Sequence, residues 1–301
     1  MDNVPVMKNK SNNKWLSDPP YYWPKLSDKS LSFFAYAPYS QNRAITVAAG
    51  WGKGAESDKK LKISYTSDSN PANHLDLCVA EAVLDRTRLY DRNLDGNPDP
   101  IAFNFHHTLA AVSFAANYKG NLPDGCYLRI DELNVGNLLG SNVLTFPGEG
   151  DGVFEWAPVT SSMPRTVSYN LSIGALTLLR YKPLEKLPDK STDPVTYTDF
   201  VTADGVIYAL PQPINPSDDE IYTKIDITFS YVKNDSHDQI AQFYTSINLP
   251  VSTLQPACQY KYVFTLDVTN TSLINIACVN NGSWIVDWKN SNNIHSDTFI
   301  K

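Results

Sequence analysis

Apolar and polar residues alternate along much of the chain with the period of two that an extended strand imposes. In "TKIDITFSYV", Ile225, Ile227, Phe229 and Tyr231 alternate with Lys224, Asp226, Thr228 and Ser230. In "YKYVFTLDVTN", Tyr260, Tyr262, Phe264, Leu266 and Val268 share one parity against Lys261, Thr265 and Asp267. Both read as antiparallel strands with one buried and one wet face. In "IAFNFHHTLAAVSFAANY", Ile101, Phe103, Phe105, His107 and Leu109 hold one parity, and Val112, Phe114, Ala116 and Tyr118 hold the other. The phase slips once, which a β-bulge or a one-turn interruption near Ala110 and Ala111 explains. Further strands are expected in "LDLCVAEA", "CYLRIDELNV", "TVSYNLSI", "GVIYALP", "QFYTSINLPV" and "INIACVNNGSWIVDW".

No segment sustains a period of 3.6, and turn-forming stretches such as "DRNLDGNPDP", "FPGEGDG" and "PINPSDD" recur between the strands. The pattern predicts an all-β chain of sandwiches. A length of 301 residues favours two domains. The stretch "FPGEGDGVFEWAPVTSSMPR", rich in Gly, Pro and Ser, is the expected seam, with one sandwich in residues 1–165 and a second in 166–301.

Near the start, Pro19, Pro20, Pro24 and Pro38 read as borders, because proline cannot donate to a sheet ladder and holds its predecessor extended. Between them "LSFFAYA" reads as a buried strand, with "YYWP" as an aromatic lid on its entry side. Six tryptophans, Trp15, Trp23, Trp51, Trp156, Trp284 and Trp288, are scattered as core anchors are, whereas a sugar-binding cleft predicts clustering.

Composition narrows the function classes. A net charge of -7 and no basic cluster argue against nucleic acid as a partner. The longest apolar runs fall far short of the roughly 20 residues of a membrane helix. The first fourteen residues contain no apolar core of a secretory signal. Cys78, Cys126, Cys258 and Cys278 form no C-x-x-C pair, so no zinc site is expected. They read as small buried side chains, although their placement permits one disulfide in each half.

Candidate chemistry is sparse. In "DRNLDGNPD", Asp91, Asn93, Asp95, Gly96 and Asp99 take the early ligand positions and turn glycine of a calcium loop. Position twelve is Ala102 in place of a bidentate Glu, which favours a polar hairpin turn. His106 and His107 are adjacent, so in a strand they face opposite ways; His107 reads as a core histidine. Asp131 and Glu132 also face opposite ways, unsuited to paired acid and base work. Serine nucleophile elbows, phosphate-binding glycine loops and H-E-x-x-H are absent, and no enzyme or cofactor is expected.

Four segments, in order, resemble the fimbrillin family, the Mfa-like and FimA-like pilus subunits of Bacteroidetes. They are "YYWPKLSDKSLSFFAYAP"; "LDLCVAEA" with "FNFHHTLAAVSF"; "IYALPQPI" leading into "IDITFSYV"; and "LPVSTLQPACQYKYVFTLDV" with "GSWIVDW". The resemblance spans about Tyr21 to Trp288. The residues that carry it are Tyr22, Trp23, Phe34, Tyr36, Phe105, His107, Leu109, Phe114, Pro211, Gln212, Tyr260, Tyr262 and Trp284, and it implies that they are core positions. It further implies two transthyretin-like β-sandwiches with Greek-key-type antiparallel sheets. The subunit would be a secreted, lipid-anchored precursor that is processed and polymerised at the outer membrane surface by strand exchange. Its partners would be other pilus subunits, with host or bacterial surface ligands in addition. Against the family pattern, the lipobox cysteine and the strands expected before "YYWP" are missing, and the tail "KNSNNIHSDTFIK" is polar. The alternative from a different class is a carbohydrate-binding surface lipoprotein that uses exposed Tyr and Trp.

Overall fold

In a computed structural model, the structure describes residues 4–11, 14–17, 21–24, 29–39, 44–47, 61–89, 100–146, 154–160, 163, 167–170, 184–186, 198–199, 206–214, 223–249, 253–268, 274–278 and 286–287. The strands are β1 (Val6–Asn9), β2 (Lys14–Ser17), β3 (Ser30–Phe33), β4 (Tyr36–Ala37), β5 (Ile45–Val47), β6 (Lys62–Thr66), β7 (Cys78–Ala80) and β8 (Val83–Thr87). Then come β9 (Phe105–His107), β10 (Ala110–Lys119), β11 (Cys126–Leu138), β12 (Ser141–Thr145), β13 (Glu155–Trp156), β14 (Val167–Asn170), β15 (Glu185–Lys186) and β16 (Thr198–Asp199). The remainder are β17 (Ile207–Ala209), β18 (Gln212–Pro213), β19 (Lys224–Lys233), β20 (Gln239–Asn248), β21 (Thr253–Leu254), β22 (Cys258–Asp267), β23 (Ile274–Cys278) and β24 (Val286–Asp287). A single short 3-10 turn at Pro71–Asn73 is the only helical element among the described residues. No helix of the described residues is long and apolar enough to cross a membrane.

The larger core lies between two sheets. One runs β14-β11-β19-β20, and the other is centred on β15-β10-β22-β23. The alternation of β19 does what the sequence implied: Ile225, Ile227, Phe229 and Tyr231 are all buried. They meet Val112, Phe114, Tyr262 and Phe264 of the facing sheet in one apolar cluster. Phe114 stacks on Tyr262 and Phe264 with ring centroids 5.8 and 5.9 Å away. Most pairing is antiparallel, but β10 and β22 run parallel in the middle of their sheet, from Ala111 against Gln259 to Lys119 against Asp267.

The smaller core gathers Ile45, Ile63, Tyr65, Leu77, Val79, Leu109, Leu139, Leu144, Phe146 and Leu210. It sits among the sheets β13-β12-β6-β5 and β4-β7-β9. The expected division into halves near residue 165 needs correction, because β10 and β11 precede it yet build the larger core with β19 and β22. The chain passes between the cores repeatedly: residues 45–79 and Leu109 enter the smaller, 110–138 the larger, 139–146 the smaller again, and the buried residues from Tyr169 onward return to the larger, apart from Leu210, which joins the smaller. Burial, not contiguity, sets the grouping.

The phase slip read near Ala110 has a related origin. β9 and β10 belong to different sheets, separated by Thr108 and Leu109, and Leu109 is buried in the smaller core while Ala110 is buried in the larger. Neighbours in an extended chain face opposite ways, so with Leu109 turned into one core and Ala110 into the other the inward parity shifts between the two strands. A hairpin of β1 and β2, Val6 opposite Ser17, precedes the aromatic segment and pairs with no other described strand.

Candidate functional site

Strand geometry alone brings three ligand-type side chains together. Asp76 lies two residues ahead of Cys78, which opens β7, and the β7–β9 register sets Cys78 directly across from His107. Asp76 Oδ2 is 2.8 Å from His107 Nδ1. Cys78 Sγ is 3.4 Å from the same nitrogen. One ligand atom from each residue lies within 4.8 Å of the others. Thr108 fixes the crossing: its N–H and its hydroxyl both donate to the Leu77 carbonyl, at 3.0 and 2.7 Å, and Trp156 Nε1 donates to the Thr108 carbonyl at 2.9 Å.

The site is almost dry. The side chains of Asp76 and His107 are 8% and 16% exposed. The Asp76–His107 approach is close, yet neither carboxylate oxygen accepts a well-directed hydrogen bond from the described residues. Burial, and then the Asp76 charge, push the Cys78 thiol far above its usual range. The same two causes raise the Tyr208 phenol. A reactive cysteine needs the opposite shift, toward thiolate. It also needs its base oriented from the far side of the ring, whereas here the thiol and the carboxylate converge on one nitrogen. The constellation is no nucleophilic triad.

His106, one residue away, faces elsewhere, 3.6 Å from Glu81 and against the ring of Phe154. His74 is a half-buried connector: its Nε2 lies 2.9 Å from the Asp68 carbonyl and its Nδ1 accepts the Tyr208 N–H at 3.2 Å. Burial holds its pKa below the ordinary value. Asp131 sits where the β11–β19 register shifts, its carboxylate taken by Arg129 at 2.7 Å, Gln242 at 3.2 Å and the Ser230 hydroxyl. Asp91, Asn93, Asp95, Asp99 and Trp284 lie outside the described residues.

The remaining motif residues separate into two groups. Leu109, Phe114, Tyr260, Tyr262 and Gln212 are buried, as is Pro211. Trp23, Phe34, Tyr36 and His107 are half-buried. Tyr22 and Phe105 are not core residues. Tyr22 is 84% exposed, because Trp23 turns inward onto Phe33, at 5.6 Å between rings, and adjacent extended residues face opposite ways. Phe105 is 47% exposed; it opens β9, the outer strand of its sheet, and its ring meets Phe103.

Gln212 has a defined task. Its Oε1 accepts the Leu139 N–H at 2.9 Å, and its Nε2 donates to the Leu210 carbonyl at 3.0 Å. Gln212→Leu is expected to lower stability by about 1–3 kcal/mol in denaturant titration, because two buried backbone groups lose their partners.

A second feature is an open sheet edge. β20 ends its sheet, and no described strand pairs with its outer side. Ala241, Phe243 and Ile247 face the larger core yet remain only partly buried. Tyr244, on the other face, is 65% exposed and donates to Asp226 Oδ1 at 2.9 Å. Among the described residues the exposed rings are Trp15 in β2, the neighbours Tyr21 and Tyr22 between β2 and β3, Tyr39 after β4, Phe105 in β9 and Tyr244 in β20.

A family model described as Fimbrillin-like matches residues 1–284, so the match begins ahead of Tyr21 and includes the β1–β2 hairpin. A crystal structure of a fimbrial protein from Bacteroides vulgatus is similar with a TM-score of 0.59 at 18% identity, covering 88% of this chain and 81% of that one. A candidate cell adhesion protein from Bacteroides uniformis gives 0.41 at 13% identity, covering 92% and 78%. A fimbrilin from Porphyromonas gingivalis gives 0.31 at 10% identity, covering 85% and 92%. No curated protein sequence matches.

Proposed function

The chain belongs to the fimbrillin-like family, and from that premise we propose that it is a structural subunit of a cell-surface fimbria that joins neighbouring subunits by strand addition. The observation that carries this reading is the outer edge of β20, ten residues long, with half-covered apolar side chains on its core-facing side. An unpaired edge presents a row of N–H and C=O groups that a strand from another molecule satisfies, and alternate side chains of that strand complete the burial. Repeated head to tail without closure, such a contact makes a filament. The subunit is displayed at the outer membrane surface after export, its partners being other subunits of the same fimbria.

The test uses the full chain produced in its own host. Material sheared from the cell surface, run without boiling, is expected to show the chain as a ladder of detergent-resistant multimers that collapses to monomer on heating. Monomer alone in the sheared and cell-bound fractions would refute assembly by strand addition.

A further inference from the structure

We propose that Asp76, Cys78 and His107 form a binding site for a thiophilic divalent transition metal, zinc being the best fit. Three observations converge. The donor set, one carboxylate, one thiol and one imidazole, is that of zinc, while calcium and magnesium take oxygen ligands. The geometry is preorganised: Asp76 Oδ2 and Cys78 Sγ approach one nitrogen at 2.8 and 3.4 Å, and all three ligand atoms lie within 4.8 Å. In a tetrahedral zinc site, ligand atoms are about 3.3–3.8 Å apart, so an ion requires Asp76 and His107 to part by roughly half an ångström. The carboxylate is buried, with His107 Nδ1 as its close polar neighbour and no well-directed hydrogen bond to either oxygen among the described residues, an arrangement whose cost a cation relieves.

Binding replaces the thiol proton, the sulfur keeping its electron pair for the metal and the proton passing to solvent. Three protein ligands leave the fourth tetrahedral position to water. The ion ties the β7 segment to β9 beside the smaller core, and so acts as a staple. This inference is independent of the assembly proposal.

Cobalt is the probe, because a cobalt–thiolate bond has a charge-transfer band in the near ultraviolet and tetrahedral cobalt has visible d–d bands. The full chain carrying Cys126→Ser, Cys258→Ser and Cys278→Ser retains Cys78 as its one thiol. It is expected to develop both bands, to saturate at one cobalt per chain, and to lose them on adding zinc. Asp76→Asn and His107→Gln are each expected to weaken binding at least tenfold. No band from folded protein in excess cobalt overturns the proposal. So does a band unchanged by both substitutions, which marks a lone thiol. Should the triple variant fold poorly, the unmodified chain supplies the second measurement: zinc raises its Tm and leaves that of Cys78→Ser unmoved, whereas equal shifts or none refute the site.

Discussion

Phe114→Ala is expected to destabilise the protein by about 3–5 kcal/mol, whereas Phe105→Ala is expected to shift stability by less than about 0.5 kcal/mol. Both are phenylalanines of one sequence motif, nine positions apart, and only their environments differ. Phe114 is fully buried between Tyr262 and Phe264 at the centre of the β10–β22 pair. Its removal forfeits the transfer energy of the ring and leaves a cavity that two sheets cannot close. Phe105 holds its ring half in water at the start of an outer strand. Urea titrations of both variants check the pair. Similar losses would mean that Phe105 is covered in solution, or that the core around Phe114 relaxes freely.

Alkaline pH is expected to unfold the chain cooperatively. Tyr169 is buried, and burial raises its phenol from 10.0 to about 12. Tyr65 is buried too, donates to the Leu75 carbonyl at 2.9 Å, and is raised by burial and then by Tyr169. The groups facing Tyr169 include Asp68, whose charge raises it further, and the ring of His74 at 4.7 Å. Below pH 10 both states hold the phenol protons and nothing changes. Above it the unfolded chain releases them while the folded chain retains them. Stability therefore falls by up to about 1.4 kcal/mol per pH unit for each tyrosine as pH rises through the window toward 12. For Tyr169 alone the loss approaches about 2.7 kcal/mol, a large share of ordinary domain stability. A step in phenolate absorbance should coincide with the loss of β-sheet circular dichroism, and Tyr169→Phe should move it to higher pH. Smooth ionisation of every tyrosine with the sheets intact would contradict the assigned burial.

The strands were legible where one face is buried and one wet. Ile225 through Tyr231 announce β19, and Tyr260 through Leu266 announce β22, because a period of two is the direct signature of a pleated chain at a core boundary. Three things were not. The parity change at Thr108 and Leu109 resembles a local bulge, although it marks a transfer between sheets, and sequence does not reveal which sheet a strand enters. The Gly, Pro and Ser-rich stretch suggested a seam, but core membership depends on pairing partners far away in the chain. The cluster of Asp76, Cys78 and His107 was half-visible. Asp76 and Cys78 share a parity in "LDLC", whereas His107 joins them only through the β7–β9 register. Metal motifs are usually sought as short spacings, and a site assembled across two strands has none.

The parallel pair of β10 and β22 carries a consequence for the order of events when the chain is made. Asn117 and Thr265, which share a hydrogen bond across it, are 148 positions apart. Until residues 258–267 have emerged, β10 lacks its parallel neighbour, and Phe114 lacks the rings of Tyr262 and Phe264 that stack beside it. The larger core is thus completed late in synthesis, and contacts so distant close slowly. A chain stopped anywhere before Cys258 retains the hydrophobic strand without the one that pairs along its edge, and such a fragment is prone to aggregate.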